Sequence, residues 1–365
     1  MIYRKKQSKT TSMKTSVSLT MRNSYLNFLE TELNISCQEN TGFLVIDLFA
    51  GCGGLALGFE SVGFKTIGYE MLPDACKTYS SNLQSHCHQV TLKPDFNLPE
   101  KPDVIIGGPP CQPFSVSGHQ KGLKDSRDGF PIFLKAVKNT SPKIAIFENV
   151  QGMLFRSKDY FQKIVKSLQK IGYIVEWEIL NAADYGVPQR RQRLFCVAHQ
   201  GGWRWPKKTH SSFPYTVGDA LGDLIETIPP KAKFLTPSMD KYIQKYEKAS
   251  KCIRPRDLHL DTPARTVTCR NLSAPTGDML RIRLPNGQRR RLTVQEGARL
   301  QSFPDWFEFQ GSEDSQYNQI GNAVPPILAK ALATSVKKYL QKFNQPLSEE
   351  DRLLNQPIQL SLDLF

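Results

Sequence analysis

The chain has 365 residues, 39% of them hydrophobic and 22% charged, with a net charge of +14. That supplies apolar material for one large domain or two and excludes a chain that is mostly disordered. No apolar run approaches the ~20 residues of a membrane helix, the start MIYRKKQSKTTSMKTSVSLTMR lacks the apolar centre of a secretory signal, and the basic balance favours a polyanionic partner such as nucleic acid.

Residues 1–40 read as a basic, polar arm with a short helical patch at Tyr25–Leu33. The pattern changes at Phe43-Leu44-Val45-Ile46, a buried-strand run followed at once by a glycine cluster. Thr66–Tyr69, Asp103–Ile106, Lys143–Phe147, Ile174–Leu180 and Leu194–Ala198 read as further strands, with helical stretches such as Tyr160–Gly172 between them. Strands alternating with helices predict an α/β fold, a mostly parallel sheet with helices on both faces. In such sheets ligands bind beyond the carboxyl ends of the strands. The glycine cluster, the loop Gly107–Cys111 and the tripeptide Glu148-Asn149-Val150 all follow strands, so they should converge on one edge. From about Gly201 the chain is rich in Pro, Gly, Lys and Arg, which predicts a second, smaller domain over 201–288 with little regular helix. Helices are expected at Val294–Ser302 and Pro326–Lys342, then a loose tail over 346–365.

The segment Asp47–Leu55 opens a helix with the spacing GxGGxxxGF, which differs from the GxGxxG of dinucleotide enzymes. Glycines there let a backbone approach a nucleotide-like cofactor at a helix N-terminus; a packed turn without ligand is the plainer alternative. Glu70 ends the next strand, where an acid can bind a ribose diol or simply lie on the surface. In PPCQPFS, Cys111 stands between prolines on a strand-to-loop turn, which presents a thiol for nucleophilic work. Glu148 follows the apolar strand Ile144–Phe147, a partly desolvated position suited to proton donation or to a helix cap. Gln189-Arg190-Arg191-Gln192-Arg193 is a dense cationic patch, either functional or a solvated charge run. The eight cysteines, Cys37, Cys52, Cys76, Cys87, Cys111, Cys196, Cys252 and Cys269, are scattered without a CxxC pair. That argues against a disulfide scaffold and a structural zinc site, and fits a reducing cytoplasm. His86-Cys87-His88 has no outside ligands placed to help it, so no metal is expected.

Taken in order, DLFAGCGGLALGFE, GGPPCQPFSVSG, ENVQGM, QRRQRLF, RLTVQEGARLQSFPD and GNAVPP resemble the signature blocks of the DNA cytosine-5 methyltransferase family, of the restriction-modification type. The resemblance spans about residues 43–340. It implies a Rossmann-like S-adenosylmethionine-dependent methyltransferase sheet over 41–200, a target-recognition domain over 201–288, and a return to the catalytic domain over 289–345. It implies that Cys111 adds to C6 of cytosine, that Glu148 holds and protonates N3, that Arg193 contacts the base carbonyl, and that Arg191 supports Cys111 and the phosphate. The cofactor would lie against Phe49, Gly51, Gly53, Leu55, Glu70, Pro110, Asn322 and Ala323. DNA contacts are expected from Gln112, Ser115, Ser117, Thr266, Arg254, Arg256, Arg265 and Arg270. The target base must be flipped out of the duplex, since its reacting atoms are inaccessible in the stack. The partner implied is double-stranded DNA, bound by a cytoplasmic monomer, with a cognate restriction endonuclease that shares the target sequence but need not bind. An RNA cytosine-5 methyltransferase of the same catalytic design is the alternative; the varied segment between QRRQRLF and RLTVQE leans toward DNA. Two blocks depart from the family. His88–Leu92 lacks the acid expected near the adenine, and Asp125–Phe133 carries an extra residue in the Asp-x-Arg-Gly-x-Leu-Phe block.

Overall fold

In the computed structural model, the described residues are 24–110, 128–249, 257–273 and 278–343. Cys111, Gln112, Ser115, Ser117, Arg254, Arg256 and the tail 346–365 lie outside them.

Residues 24–32 are helical (α1). The sheet then begins with β1 (Leu44–Leu48), followed by α2 (Gly54–Glu60), β2 (Lys65–Glu70), α3 (Pro73–Asn82), β3 (Cys87–Gln89) and β4 (Val104–Gly107). Next come α4 (Phe130–Thr140), β5 (Ile144–Val150), α5 (Lys158–Lys170), β6 (Ile174–Asn181), β7 (Gln189–Arg190) and β8 (Gln192–His199). Seven strands form one sheet in the order β3-β2-β1-β4-β5-β8-β6. The first five are parallel, and β8 runs antiparallel to β5 and β6. From β1 the chain first builds outward to β2 and β3, then returns to the other side at β4. The order therefore reverses between β1 and β4, and the crevice at their carboxyl ends is the place such sheets reserve for ligands.

Alternation along the strands splits the apolar residues between two faces. Val45, Val104, Ile106, Ile144 and Ile146 join one core, while Ile46, Leu48, Ile105, Ala145 and Phe147 join the other. Helices α4 and α5 cover the second face with Phe130, Phe133, Val137, Phe161, Ile164 and Leu168. The first face is covered in part by α2 and by the C-terminal helix α11 (Pro326–Phe343). Gly58 permits the crossing of these two helices, because a Cβ there would lie 2.4 Å from that of Ala329.

Two expectations need correction. The part of residues 1–40 that is described is not a free arm. Tyr25, Leu29 and Leu33, at helical spacing, are fully buried, and the Tyr25 hydroxyl donates to the Arg299 carbonyl at 3.3 Å. Nor is 201–288 poor in helix: it contains α6 (Val217–Glu226), α7 (Pro237–Ala249) and α8 (Cys269–Ser273). The start of α6 is a capping box, Thr216 with Asp219, a sequence signature hidden in a Pro- and Gly-rich region. The sheet structure here is slight: β9 (Ala264–Arg265) pairs with β7, and β10 (Arg281–Arg283) with β11 (Arg289–Arg291). The chain then forms α9 (Val294–Leu300), α10 (Glu313–Asn322) and α11 (Pro326–Phe343).

Candidate active site

At the end of β1 the backbone turns sharply. Phe49 has a φ of 60° and Gly53 one of 89°, and a Cβ on Gly53 would lie 2.8 Å from Leu83 and Tyr79. Glu70, at the end of β2, clamps this turn. Its Oε2 accepts from the Gly51 N–H at 2.8 Å, and its Oε1 from the N–H groups of Met71 and Leu72, both at 2.8 Å. Leu55 is buried in α2, and Phe49 remains half-exposed. Asn322 and Ala323 end α10, and the neighbouring Val324 carbonyl lies against Gly54 closely enough that a Cβ there would be 2.5 Å away. The turn, Glu70 and the GNAVPP block therefore share one corner of the crevice.

Asp47 is the residue of this corner that sequence reasoning missed. It is 1% exposed, and its Oδ2 has no hydrogen-bond partner among the described residues. Burial, with repulsion from Glu70 second, pushes its carboxyl up to about 8. The signal available in sequence was an acid inside the otherwise apolar strand Leu44–Leu48.

The second corner is built by β4, β5 and β8. Pairing of β5 with β8 sets Val150 opposite Arg193 and Glu148 opposite Phe195. The side chains of Glu148 and Arg193 then meet, Arg193 Nε to Glu148 Oε1, at 3.0 Å, with exposures of 13% and 14%. Each offsets the desolvation of the other. Glu148 Oε2 lies 3.9 Å from the Cβ position of Gly108, and Asn149 Nδ2 donates to the Pro109 carbonyl at 3.0 Å. The Pro110 carbonyl accepts from the Gly129 N–H at 3.1 Å, and a Cβ on Gly129 would be 2.6 Å from Pro110 and 2.8 Å from the Phe49 ring. Phe49 and Pro110 are thereby brought together between the two corners.

Arg191 is not part of a solvated charge run. It is 1% exposed and donates to the carbonyls of Val267, Gly321 and Ala323 at 2.7, 3.2 and 3.0 Å. Burial, then repulsion from Arg193, brings its guanidinium down to about 9, with Glu148 opposing. Gln189 and Gln301 complete this clasp. Gln189 accepts from the Val267 N–H at 2.9 Å and donates to the Leu300 carbonyl at 2.7 Å. Gln301 donates to the carbonyls of Ile320 and Ala323, both at 2.8 Å. Neither glutamine was singled out from sequence, since nothing local distinguishes a clasp from a surface amide.

Beside Arg193 opens a cleft of about 440 Å³ lined by Gln151, Asn181, Arg190, Gln192, Arg193 and Thr266. The Thr266 hydroxyl donates to the Arg190 carbonyl at 2.8 Å. Arg265 and Arg270 lie further out and face Asp278, at 3.9 and 3.4 Å. No cluster of three His, Cys, Asp or Glu that could hold a metal occurs among the described residues.

Known proteins resemble this chain in sequence and in fold. The chain is 58% identical over 341 residues to the Type II methyltransferase M.AplI of Arthrospira platensis, covering 93% of this chain and 98% of that one. It is 35% identical to the Type II methyltransferase M1.HphI of Haemophilus parahaemolyticus, covering 86% and 91%. In fold it is similar to the solved methyltransferase EhMeth of Entamoeba histolytica, with a TM-score of 0.64 at 20% identity over 83% of this chain and 99% of that one. Residues 43–338 match the profile of C-5 cytosine-specific DNA methylases, and the chain belongs to that family.

Proposed function

We propose that this DNA methylase draws its methyl group from S-adenosylmethionine and acts on a cytosine flipped out of duplex DNA, with Cys111 as nucleophile. The observation that carries the reading is the Glu148–Arg193 pair, held beside Gly108–Pro110 at the point where the chain enters Cys111. Bound in the crevice, S-adenosylmethionine supplies a methyl group on an electrophilic sulfonium. The residues of the first corner fit it. Asp47 offers a buried carboxylate oxygen, without a partner among the described residues, to an ammonium. Glu70 has lone pairs left for a ribose diol after its backbone contacts. Phe49, Gly51, Gly53, Leu55, Pro110, Asn322 and Ala323 would shape the rest of the pocket.

In this reading Cys111 Sγ adds to C6, and the ring electrons move toward C5. Glu148 delivers a proton to N3, so that negative charge does not remain on the ring. Arg193 orients Glu148 and faces the base carbonyl, and Arg191 holds the scaffold behind them. C5 would then bond to the methyl carbon as the carbon–sulfur bond breaks, its electron pair leaving on sulfur as a neutral thioether. Loss of the C5 proton to solvent then expels the Cys111 thiolate, and return of the N3 proton to Glu148 leaves the neutral aromatic ring. Thr266, Arg265 and Arg270, with Gln112, Ser115, Ser117, Arg254 and Arg256, would contact the DNA, most of them at phosphates. The division into a catalytic part, 41–200 with 289–345, and a recognition part, 201–288, belongs to the same proposal. The relatives named Type II methyltransferases support a role as the modification half of a restriction-modification system. An endonuclease with the same target sequence would be its counterpart. The enzyme would work as a monomer in the cytoplasm; no helix among the described residues is long and apolar enough to cross a membrane.

The test is chemical. With 5-fluorocytosine at the target, C5 cannot lose a proton, and the protein should remain attached to DNA in denaturant. Cys111→Ser should abolish both the adduct and turnover while DNA binding persists, because a hydroxyl is a far poorer nucleophile without a base to activate it. Near-normal turnover by the serine variant would exclude attack by Cys111.

A further inference from the structure

The cleft beside Glu148 contains a group that methyl transfer leaves unused. Asn181 ends β6 directly opposite Gln192 of β8. It lines the cleft together with Arg190, Arg193 and Thr266. Its Oδ1 is shut off from solvent and has no hydrogen-bond partner among the described residues. A buried acceptor left so is costly, and its retention asks for a partner that arrives with the ligand. The backbone beneath it is fixed, because the β6–β8 ladder runs to this residue and the next N–H, of Ala182, donates to the Arg191 carbonyl at 2.9 Å.

The polarity of the cleft narrows what that partner is. Arg190 and Arg193 bring cationic donors, which suit phosphate oxygens. A carbonyl oxygen does not: a phosphate diester has no hydrogen to give it, and its charge repels the oxygen. Deoxyribose within a strand has no donor either. In DNA the N–H donors belong to the bases, on their exocyclic amino groups and on ring nitrogens. A neutral acceptor seated beside Arg190 and Arg193 therefore separates base contact from backbone contact.

We infer that Asn181 is a specificity-determining residue whose Oδ1 accepts an N–H from a base of the DNA bound in this cleft. The inference rests on the DNA methylase reading and extends it to a residue outside the catalytic pair. Its seat, fixed by the ladder between β6, at the sheet edge, and β8, is what discrimination between bases requires.

The experiment uses the full chain. It is expressed in a bacterial host without cytosine methylation, and its motif is mapped by bisulfite sequencing. Two variants are compared: Asn181→Leu, which keeps the size and removes the amide, and Asn181→Asp, which keeps an acceptor at the same place. Asn181→Leu should lose discrimination about tenfold or more at one position of the motif, the scale of a lost base contact. Its salt dependence of binding to a duplex carrying the wild-type motif should not change. Asn181→Asp should keep the wild-type motif at a reduced rate. An unchanged motif in Asn181→Leu, with or without a lowered melting temperature, would overturn the inference. A salt slope reduced by about 1 would overturn it in favour of a phosphate contact. Equal relaxation in both variants would remove the acceptor role. Absence of any methylated motif with the wild-type chain would be a different failure, that of the DNA methylase reading itself.

Discussion

Position 148 shows how two side chains of opposite charge make one working group. Alone, either Glu148 or Arg193 would be partly buried without compensation; at 3.0 Å they compensate each other and fix the carboxylate beside Gly108. Glu148→Gln preserves a hydrogen-bonding group but removes the acidic proton. Single-turnover rates should fall by a factor on the order of 10²–10⁴, with DNA affinity little altered; an unchanged rate would refute proton delivery. Asp47 gives a pH signature. Its carboxyl stands near 3.8 in the unfolded chain and is raised to about 8 in the fold, by burial first and Glu70 second. The sign follows: the stability tied to the protonated acid is full below the unfolded value and is lost as pH rises through the folded one. The ligand-free protein should therefore lose thermal stability between those two values. Asp47→Asn should flatten that profile and weaken S-adenosylhomocysteine binding about tenfold or more, the scale of a charged hydrogen bond. A pH profile identical to wild type would show that Asp47 is not the linked group.

Among the elements, α1 and the clasp of Gln189, Arg191 and Gln301 join distant parts of the chain. Helix α1 precedes the family-matched segment, which begins at residue 43, yet it and the turn that follows bury Tyr25, Leu29 and Leu33 completely. Glu32 reaches Lys330 of α11 at 2.8 Å, and Phe28 packs against His210 and Tyr215. Leu29→Ala should cost about 2–5 kcal/mol in urea unfolding, as for other fully buried leucines. A chain beginning at residue 34 should be markedly less stable than the full-length protein. Equal midpoints for the two chains would contradict a docked helix.

For the whole molecule, the net charge of +14 concerns association more than fold. Arg281, Arg289, Arg290 and Arg299 are buried and held by Asp257, Glu247, Asp240, Glu296, Asp223 and Asp305. These arginines are part of the interior, so DNA must be met by other cations. If about six or more phosphates are neutralised, duplex affinity should fall on the order of 10³-fold between about 50 and 200 mM salt. Fluorescence anisotropy of a labelled duplex would measure it, and a flat salt response would exclude backbone electrostatics as the source of affinity.

What the sequence determined by itself was local. Runs such as Leu44–Leu48, apolar but for Asp47, and Ile144–Phe147, apolar throughout, became central strands within three residues of where they were expected. Glycines and prolines marked the turns at their ends because only certain backbones can turn there. Cys111, Glu148 and Glu70 stood out since each chemistry-bearing residue follows a strand, and a parallel sheet gathers such positions on one edge. Only the tertiary structure decided which side chains end without solvent and which partners they meet. Arg191 lies in a run of charges that looks soluble in one dimension, and the carbonyls that bury it come from residues 267, 321 and 323. Helix α1 looked like an arm because its apolar stripe is short and its receiving surface includes Arg299 and Lys330, far along the chain. Burial is a property of contacts between segments remote in sequence, and no local pattern encodes the partner that supplies the other half.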